Sequence, residues 1–420
     1  MIVNLAMKPG TDAAEKEDDA FAAWWKRFLR GEYPLGDPEA PALNVVDLCC
    51  ASGGFGTGAA LAARAFGRRA VFRAIADADE AAMAVYARSH PVENVISESL
   101  ATIVDYSIEE NGEEAEFDYP PEVMNEVLKR EVGNVDLLIA GPPCQGHSNL
   151  NNHTRRDDPR NDLFVTTAAV AVALEARAVV IENVRSVVRS HGDVVALARK
   201  LLESEGYSVT DKILKMKDLG GWQTRERYFM IGVRDGDVDR VEGCVDRWLQ
   251  RNTPDGSGRR EPLDALWAIS DLQDLRGETI FDTPPVQGEE NARRIQYLFN
   301  EGLFDLPNHQ RPDCHKNGTT YGAVYGRMKL NEPGPTITTG IGTPGQGRFI
   351  HPTRPRMITP HEAARIQCFP DGYGFLHPDG TVSRKDLAKW IGDAVPPLLG
   401  MVPICAALSA ATGEDADLPW

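Results

Sequence analysis

The sequence predicts an α/β fold: a doubly wound, mostly parallel sheet joined to a second, smaller and irregular domain. Three observations predict it. Short apolar runs alternate with helical stretches from residue 43 to 234, and strands separated by helices form right-handed βαβ units that build parallel sheets. The first apolar run, ALNVVDLCC, closes on a small-residue turn, ASGGFGTG, that opens a helix. Past Arg234 the alternation stops, and 235–325 is rich in Gly, Pro, Asn and Asp.

The elements follow in order. Residues 1–42 read as an N-terminal appendage: an acidic start, a short helix (FAAWWKRFLR) and a Pro/Gly-rich linker. The Trp24–Trp25 pair suits a packing staple better than a ligand platform. The first strand and its turn lead into an Ala-rich helix reaching Phe66. VFRAIADAD is a second strand ending in acids, and EAAMAVYARSH a second helix. Residues 98–131 hold eleven acids against two bases and read as a solvated insertion with a helical end. VDLLIAGPPC is a strand broken by Gly-Pro-Pro, followed by the helix LFVTTAAVAVALEA and the strand RAVVIENV. VVALARKLLESEG is helical, and GYSVTDKILK and RYFMIGVR are strands. The expected domains are therefore 43–234, an irregular domain and hinge at 235–370, and an apolar helical return at 371–420.

Composition narrows the function classes. The chain has 420 residues, 42% of them hydrophobic, which suits a globular protein of two or three domains. Its net charge of −17 excludes a polycationic coating of nucleic acid. The charge is polarised, however: 293–360 carries nine Lys+Arg against four Asp+Glu. Seven scattered cysteines make no disulfide framework and imply a reducing, cytoplasmic setting. No metal site is expected, because His309, Cys314 and His315 lack a second ligand pair. The longest apolar stretch is broken by Glu175 and Arg177, so no membrane span is expected.

Four turns carry polar groups at strand ends, where such sheets bind ligands. The glycine turn can aim helix N–H groups at an anionic or nucleoside ligand, with Asp77 and Asp79 placed to hold ribose hydroxyls. The same pattern also describes an ordinary tight turn. Two prolines stiffen IAGPPCQGHS around Cys144, a candidate thiolate near His147, Arg155 and Arg156; a lone cysteine is also commonly structural. ENV ends a strand on Glu182. In QTRER, Arg225 and Arg227 share one face of an extended segment, as in any salt-bridged surface strand.

In order, DLCCASGG, GPPCQGHS, ENV, QTRER and GDAVPP resemble the motif series of the cytosine-C5 DNA methyltransferases. RMKLNEPGPTITTG and RPRMITPHEAARIQCFPD are similar to that family's late segments. The resemblance spans roughly 43–405 and implies a Rossmann-like class I methyltransferase fold with a target-recognition domain. It implies S-adenosylmethionine as cofactor and double-stranded DNA as partner, in a monomer that is paired functionally with a separate restriction enzyme, acts as a solitary regulator or protects a phage genome. By resemblance the catalytic residues are Cys144, Glu182, Arg225 and Arg227. The cofactor residues are Asp47, Cys49, Ser52, Gly53, Gly54, Asp77, Ala78, Glu98, Pro143, Leu163 and Asp393. Gln145, Ser148, Arg155, Arg156 and Arg160 would contact DNA. The implied reaction adds the Cys144 thiolate to C6 of a flipped cytosine, with Glu182 assisting at N3.

Departures from the family pattern gather on the cofactor side. Cys49 stands where an aromatic is usual, Ala51 for a glycine, Asp77 for Glu, Glu98 for Asp and Asp393 for Asn, and Ala78 is small where bulk is common. Weak cofactor binding is the expectation. Two other functions share these features: an RNA cytosine-C5 methyltransferase, and a non-catalytic DNA-binding regulator.

Overall fold

The computed structural model describes residues 19–33, 37–111, 114–143, 162–189, 193–251, 262–275, 277–316, 323–377 and 381–420. Its centre is a seven-stranded sheet. In chain order the strands are β1 (Ala42–Leu48), β2 (Arg69–Ala76), β3 (Val95–Ile96), β8 (Leu137–Ala140), β9 (Ala178–Asn183), β10 (Tyr207–Lys215) and β11 (Glu226–Arg234). Their spatial order is β10-β11-β9-β8-β1-β2-β3. All neighbours pair in parallel except β11, which runs antiparallel to both β9 and β10. Every residue of β8 and β9 is buried, which explains their continuous apolar runs: both faces of the sheet are covered.

The covering helices split the core in two. Val45 faces one cluster and Val46 the other, as strand alternation requires. On Val45's side lie α2 (Gly54–Ala65), α3 (Glu80–Ser89) and α12 (Pro397–Thr412). On Val46's side lie α5 (Leu163–Ala173) and α6 (Val194–Ser204). The C-terminal region from α11 (Arg384–Asp393) through α12 is long and apolar enough to cross a membrane, but 89% of its most apolar stretch is buried inside the fold. Strand succession runs outward one way from β1 and the other way from β8. The crevice at their carboxyl ends is therefore the topological switch point, where ligands bind.

Three local findings go beyond the sequence reading. The acidic insertion is more than a solvated loop. It forms two short antiparallel pairs, β4 (Val104–Asp105) with β7 (Glu122–Val123), and β5 (Ile108–Asn111) with β6 (Glu114–Phe117). Glu109, Glu114, Glu116 and Glu122 are exposed, while Ala115, Phe117 and Val123 alternate inward into the α5–α6 cluster. The short helix α4 (Glu126–Lys129) follows, capped by Asn125.

The strand–helix rhythm also runs one element past Arg234. α7 (Val238–Arg251) buries Val241, Val245 and Trp248, an i, i+4, i+7 stripe that packs on α12. Its strongly charged remainder had masked that stripe.

The third finding concerns the N-terminal helix. α1 (Ala20–Leu29) is capped by the Asp19 side chain and embedded in the core, with Trp24 5% and Trp25 0% exposed. Trp24 stacks on Phe28 and lies 5.0 Å from the Trp420 ring. Trp25 meets Trp222 at 5.9 Å, and Trp222 meets Trp267 at 5.0 Å. Helix α1 and the C-terminal Trp420 are thus joined through one aromatic cluster.

The irregular part is anchored by α10 (Pro360–Ile366). A capping box between Thr359 and Glu362 starts it. Its last carbonyls, at Arg365 and Ile366, accept from the Trp222 indole (3.0 Å) and the Gln223 amide (2.9 Å). That fixes the run-in to β11.

Candidate active site

Three strand ends converge at the crevice. β1 ends in Leu48, and its turn has left-handed backbone at Cys49 (φ 50°), Ala51 (φ 46°) and Gly53 (φ 90°). A side chain at Gly53 would strike Tyr86 and Tyr373 at 2.7 Å, and one at Gly54 the Val395 carbonyl at 2.4 Å. These two glycines therefore let α2 pack inward. Gly53 is the N-cap of α2 and offers no side chain to it, leaving first-turn N–H groups for an anion.

β8 ends in Gly141-Pro142-Pro143. A Cβ at Gly141 would lie 3.6 Å from the Cys49 carbonyl and 3.8 Å from Glu182 Oε2, so the β1, β8 and β9 ends meet there. Asn183 holds the Pro142 carbonyl at 3.3 Å. Glu182, 7% exposed, pairs with Arg227 at 2.7 Å. That pairing follows from register: Glu182 lies opposite Phe229 across the antiparallel β9–β11 ladder, two residues from Arg227.

Arg225 does something else. It is 2% exposed, and its guanidinium donates to the carbonyls of Ile337 (2.8 Å) and Gly392 (3.3 Å). The resemblance implies that Arg225 supports the Cys144–Glu182 site and nearby phosphates; here its side chain is a buried brace between the lead-in to β11, the irregular part and the C-terminal helices. Sequence spacing put both arginines on one face, but the chain is not yet a strand at Arg225.

On the cofactor side, Asp77 accepts the Ala51 N–H (2.9 Å) and the Asp79 N–H (2.8 Å). Ala78 and Glu98 are exposed along the same edge, and Glu98 accepts from Asn125 at 3.1 Å. Asp47 is wholly buried; the Tyr86 hydroxyl donates to its Oδ2 at 2.9 Å, and Oδ1 has no hydrogen-bond partner. Burial pushes its carboxyl well above the usual range, against the Tyr86 hydrogen bond. Desolvation, then Asp77 and Asp47, raises the Cys49 thiol too, so Cys49 is no second thiolate. Ser52 donates to the Trp390 carbonyl and its own carbonyl accepts from the Tyr373 hydroxyl, both at 2.7 Å. Pro143 and Leu163 are half-buried, and Asp393 is exposed at the end of α11 (Arg384–Asp393). Cys144, Gln145, Ser148, Arg155, Arg156 and Arg160 lie outside the described residues.

Sequence reasoning missed Tyr86, Tyr373, Trp390 and Lys389, which shore up this edge from distant segments. Only the apolar face shared by Ala82, Met83 and Tyr86 hinted at any of them.

Comparison with known proteins agrees with this geometry. The Type II methyltransferase M1.BsuMI of Bacillus subtilis is 38% identical over 356 residues, covering 84% of this chain and 78% of its own. M.DdeI of Desulfomicrobium norvegicum is 28% identical over 399 residues, covering 85% and 86%. A DNA modification methyltransferase encoded within an E. coli prophage shares the fold with a TM-score of 0.57 at 23% identity, over 89% of this chain and 100% of its own. The C-5 cytosine-specific DNA methylase family matches residues 43–404. With that match, and a class I sheet whose ligand edge carries the Glu182–Arg227 pair, the chain belongs to the C-5 cytosine-specific DNA methylases, enzymes that transfer a methyl group from S-adenosylmethionine to C5 of cytosine in DNA.

Proposed function

We propose that this enzyme methylates cytosine within one specific duplex sequence, with Cys144 as nucleophile and Glu182 assisting at N3. The Glu182–Arg227 ion pair carries the reading: it lies beside Gly141, three residues before Cys144, at the carboxyl edge of the sheet. Cytosine C5 is a weak nucleophile. Adding the Cys144 sulfur at C6 sends electron density toward N3 and O2 and makes C5 enamine-like. As Arg227 turns from it, Glu182 takes up a proton from solvent and donates it at N3. Arg227 needs only to turn part of its fork from Glu182 to cytosine O2. After methylation a base or water removes the C5 proton, the C6–S bond breaks, and Cys144 leaves as thiolate.

The residues along the crevice fit S-adenosylmethionine. Asp77 offers acceptors for ribose hydroxyls and Glu98 for the adenine amine. The uncapped start of α2, with Ser52, Gly53 and Gly54, suits the carboxylate end, and buried Asp47 Oδ1 has acceptor capacity to spare. When bound, the cofactor supplies an electrophilic methyl on a sulfonium. Cys49 and Ala78 leave the adenine face thinly covered, which supports weak binding.

Base flipping is required, because the target atom is stacked inside a duplex. Gln145, Ser148, Arg155, Arg156 and Arg160 suit the strand around the flipped base. A 590 Å³ cavity where Arg293, Arg294, Arg311 and Lys316 outnumber Glu290 and Asp313 supports assigning sequence reading to the irregular domain. We further infer cytoplasmic work beside a separate restriction enzyme, because the bacterial relatives are named Type II methyltransferases.

Expression in a methylation-free host, followed by sequencing that distinguishes 5-methylcytosine, tests the reading and gives the target. Cys144→Ser is expected to abolish methylation while duplex binding persists. Retained turnover in that variant would sink the covalent mechanism, and methylated RNA with unmodified DNA would overturn the substrate.

A further inference from the structure

The last turn of α11 is tied to the crevice from several sides. The Trp390 carbonyl accepts from Ser52 of the glycine turn, and the Gly392 carbonyl from Arg225. Lys389 donates to Asp79 Oδ2 and stands 3.7 Å from Asp393 Oδ2, one turn further along α11. Asp79 caps α3 through the Ala82 N–H (3.0 Å), and its own N–H is held by Asp77. Asp77 in turn holds Ala51. One ammonium therefore closes a chain of bonds running from α11 through Asp79 and Asp77 to the β1 turn, outlining the outer wall of the crevice. Three carboxylates, Asp77, Asp79 and Asp393, surround that ammonium, and its pKa is raised because Asp79, Asp393 and Asp77 outweigh its partial burial.

We propose that Lys389 is a positioning residue for the cofactor, which fixes the outer wall of the cleft and sets the balance between S-adenosylmethionine and its spent form. The proposal rests on reading this crevice as the cofactor site. S-adenosylmethionine carries one net positive charge; S-adenosylhomocysteine, left after methyl transfer, carries none. The rim keeps two net negative charges around Lys389, favouring the cation and so release of the neutral product. Asp393, where relatives by resemblance carry Asn, adds one of those charges, and Lys389 keeps the excess from growing.

Loss of Lys389 has two opposed consequences. The wall loosens, which weakens both ligands. The rim becomes more negative, which partly compensates for the cation alone. The neutral product should therefore lose more. Lys389, Asp79 and Asp393 are 27–48% exposed, so salt screens the charge effect.

Calorimetry on the full chain, freed of cofactor, tests this with both ligands. For Lys389→Met we expect about threefold weaker S-adenosylmethionine and about tenfold weaker S-adenosylhomocysteine, with the two losses converging in high salt. Lys389→Arg should restore both within about twofold. Equal losses for the two ligands at low salt, no loss, or an arginine variant as weak as the methionine one would each overturn the proposal. A lowered melting temperature together with equal losses for the two ligands would mark a purely structural role. Asp77→Ala serves as control: if it leaves both affinities unchanged, the cofactor reading itself falls, and the proposal with it. If it removes binding while Lys389→Met does nothing, only the role of Lys389 falls.

Discussion

Glu362 offers a sharp test of how the irregular part holds the active site. It is fully buried, and Arg356 grips both its oxygens at 2.7 Å. Its Oε2 also accepts the Thr359 N–H at 2.8 Å, and His351 lies 3.4 Å from Oε1. Burial alone would push the carboxyl up; the hydrogen bonds and charges of Arg356 and His351 override it and hold the group at about 2, from 4.5. A depression of that size corresponds to about 3 kcal/mol of folding stability. Because the folded pKa is the lower one, this stability is present above pH 4.5 and is lost as pH falls toward 2. Glu362→Gln mimics the protonated state. Urea unfolding should find it about 3 kcal/mol less stable at pH 7, with the gap narrowing to about 1.4 kcal/mol at pH 3. A gap that stays constant with pH, or one below about 1 kcal/mol at pH 7, would refute the reasoning. Activity should suffer as well, since α10 carbonyls hold Trp222 and Gln223, and through them the run-in to Arg225 and Arg227.

Three other outcomes follow from the site and its scaffold. Glu182→Gln should slow the chemical step by about 10²–10⁴, as loss of a general acid does; a normal single-turnover rate would remove Glu182 from the mechanism. Trp25→Ala should cost about 3–5 kcal/mol by urea unfolding, because a fully buried indole is lost between Phe28 and Trp222; a change below about 1 kcal/mol would mean α1 is a detachable appendage. DNA affinity should fall steeply with salt, as phosphate contacts release counterions; a flat profile in a filter-binding series would argue against a basic recognition face.

Much of the fold was legible because its signals are local. Buried parallel strands must be continuously apolar, so VVDL, LLIA and VVIEN announce themselves. Misreadings arose where charge masked an apolar stripe. In α7 the stripe of Val241, Val245 and Trp248 is diluted by acids and arginines, and in β5–β6 single apolar residues alternate with glutamates. At the site, the motif series pointed to Glu182 and Arg227, and the antiparallel ladder pairs them. The same spacing pointed to Arg225, which turns instead to backbone carbonyls of Ile337 and Gly392.

The sequence by itself determined the fold class, the family and the polar groups that stand at strand ends. Each depends on alternation, turn chemistry or motif order, which a linear chain displays directly. Only the tertiary structure decided which of those groups meet. Glu182 finds Arg227 through strand register, Asp47 finds Tyr86 from the next strand–helix unit, and Lys389 reaches Asp79 from 310 residues away. Such contacts arise when distant segments pack against one sheet edge, and no local pattern records a partner that far along the chain.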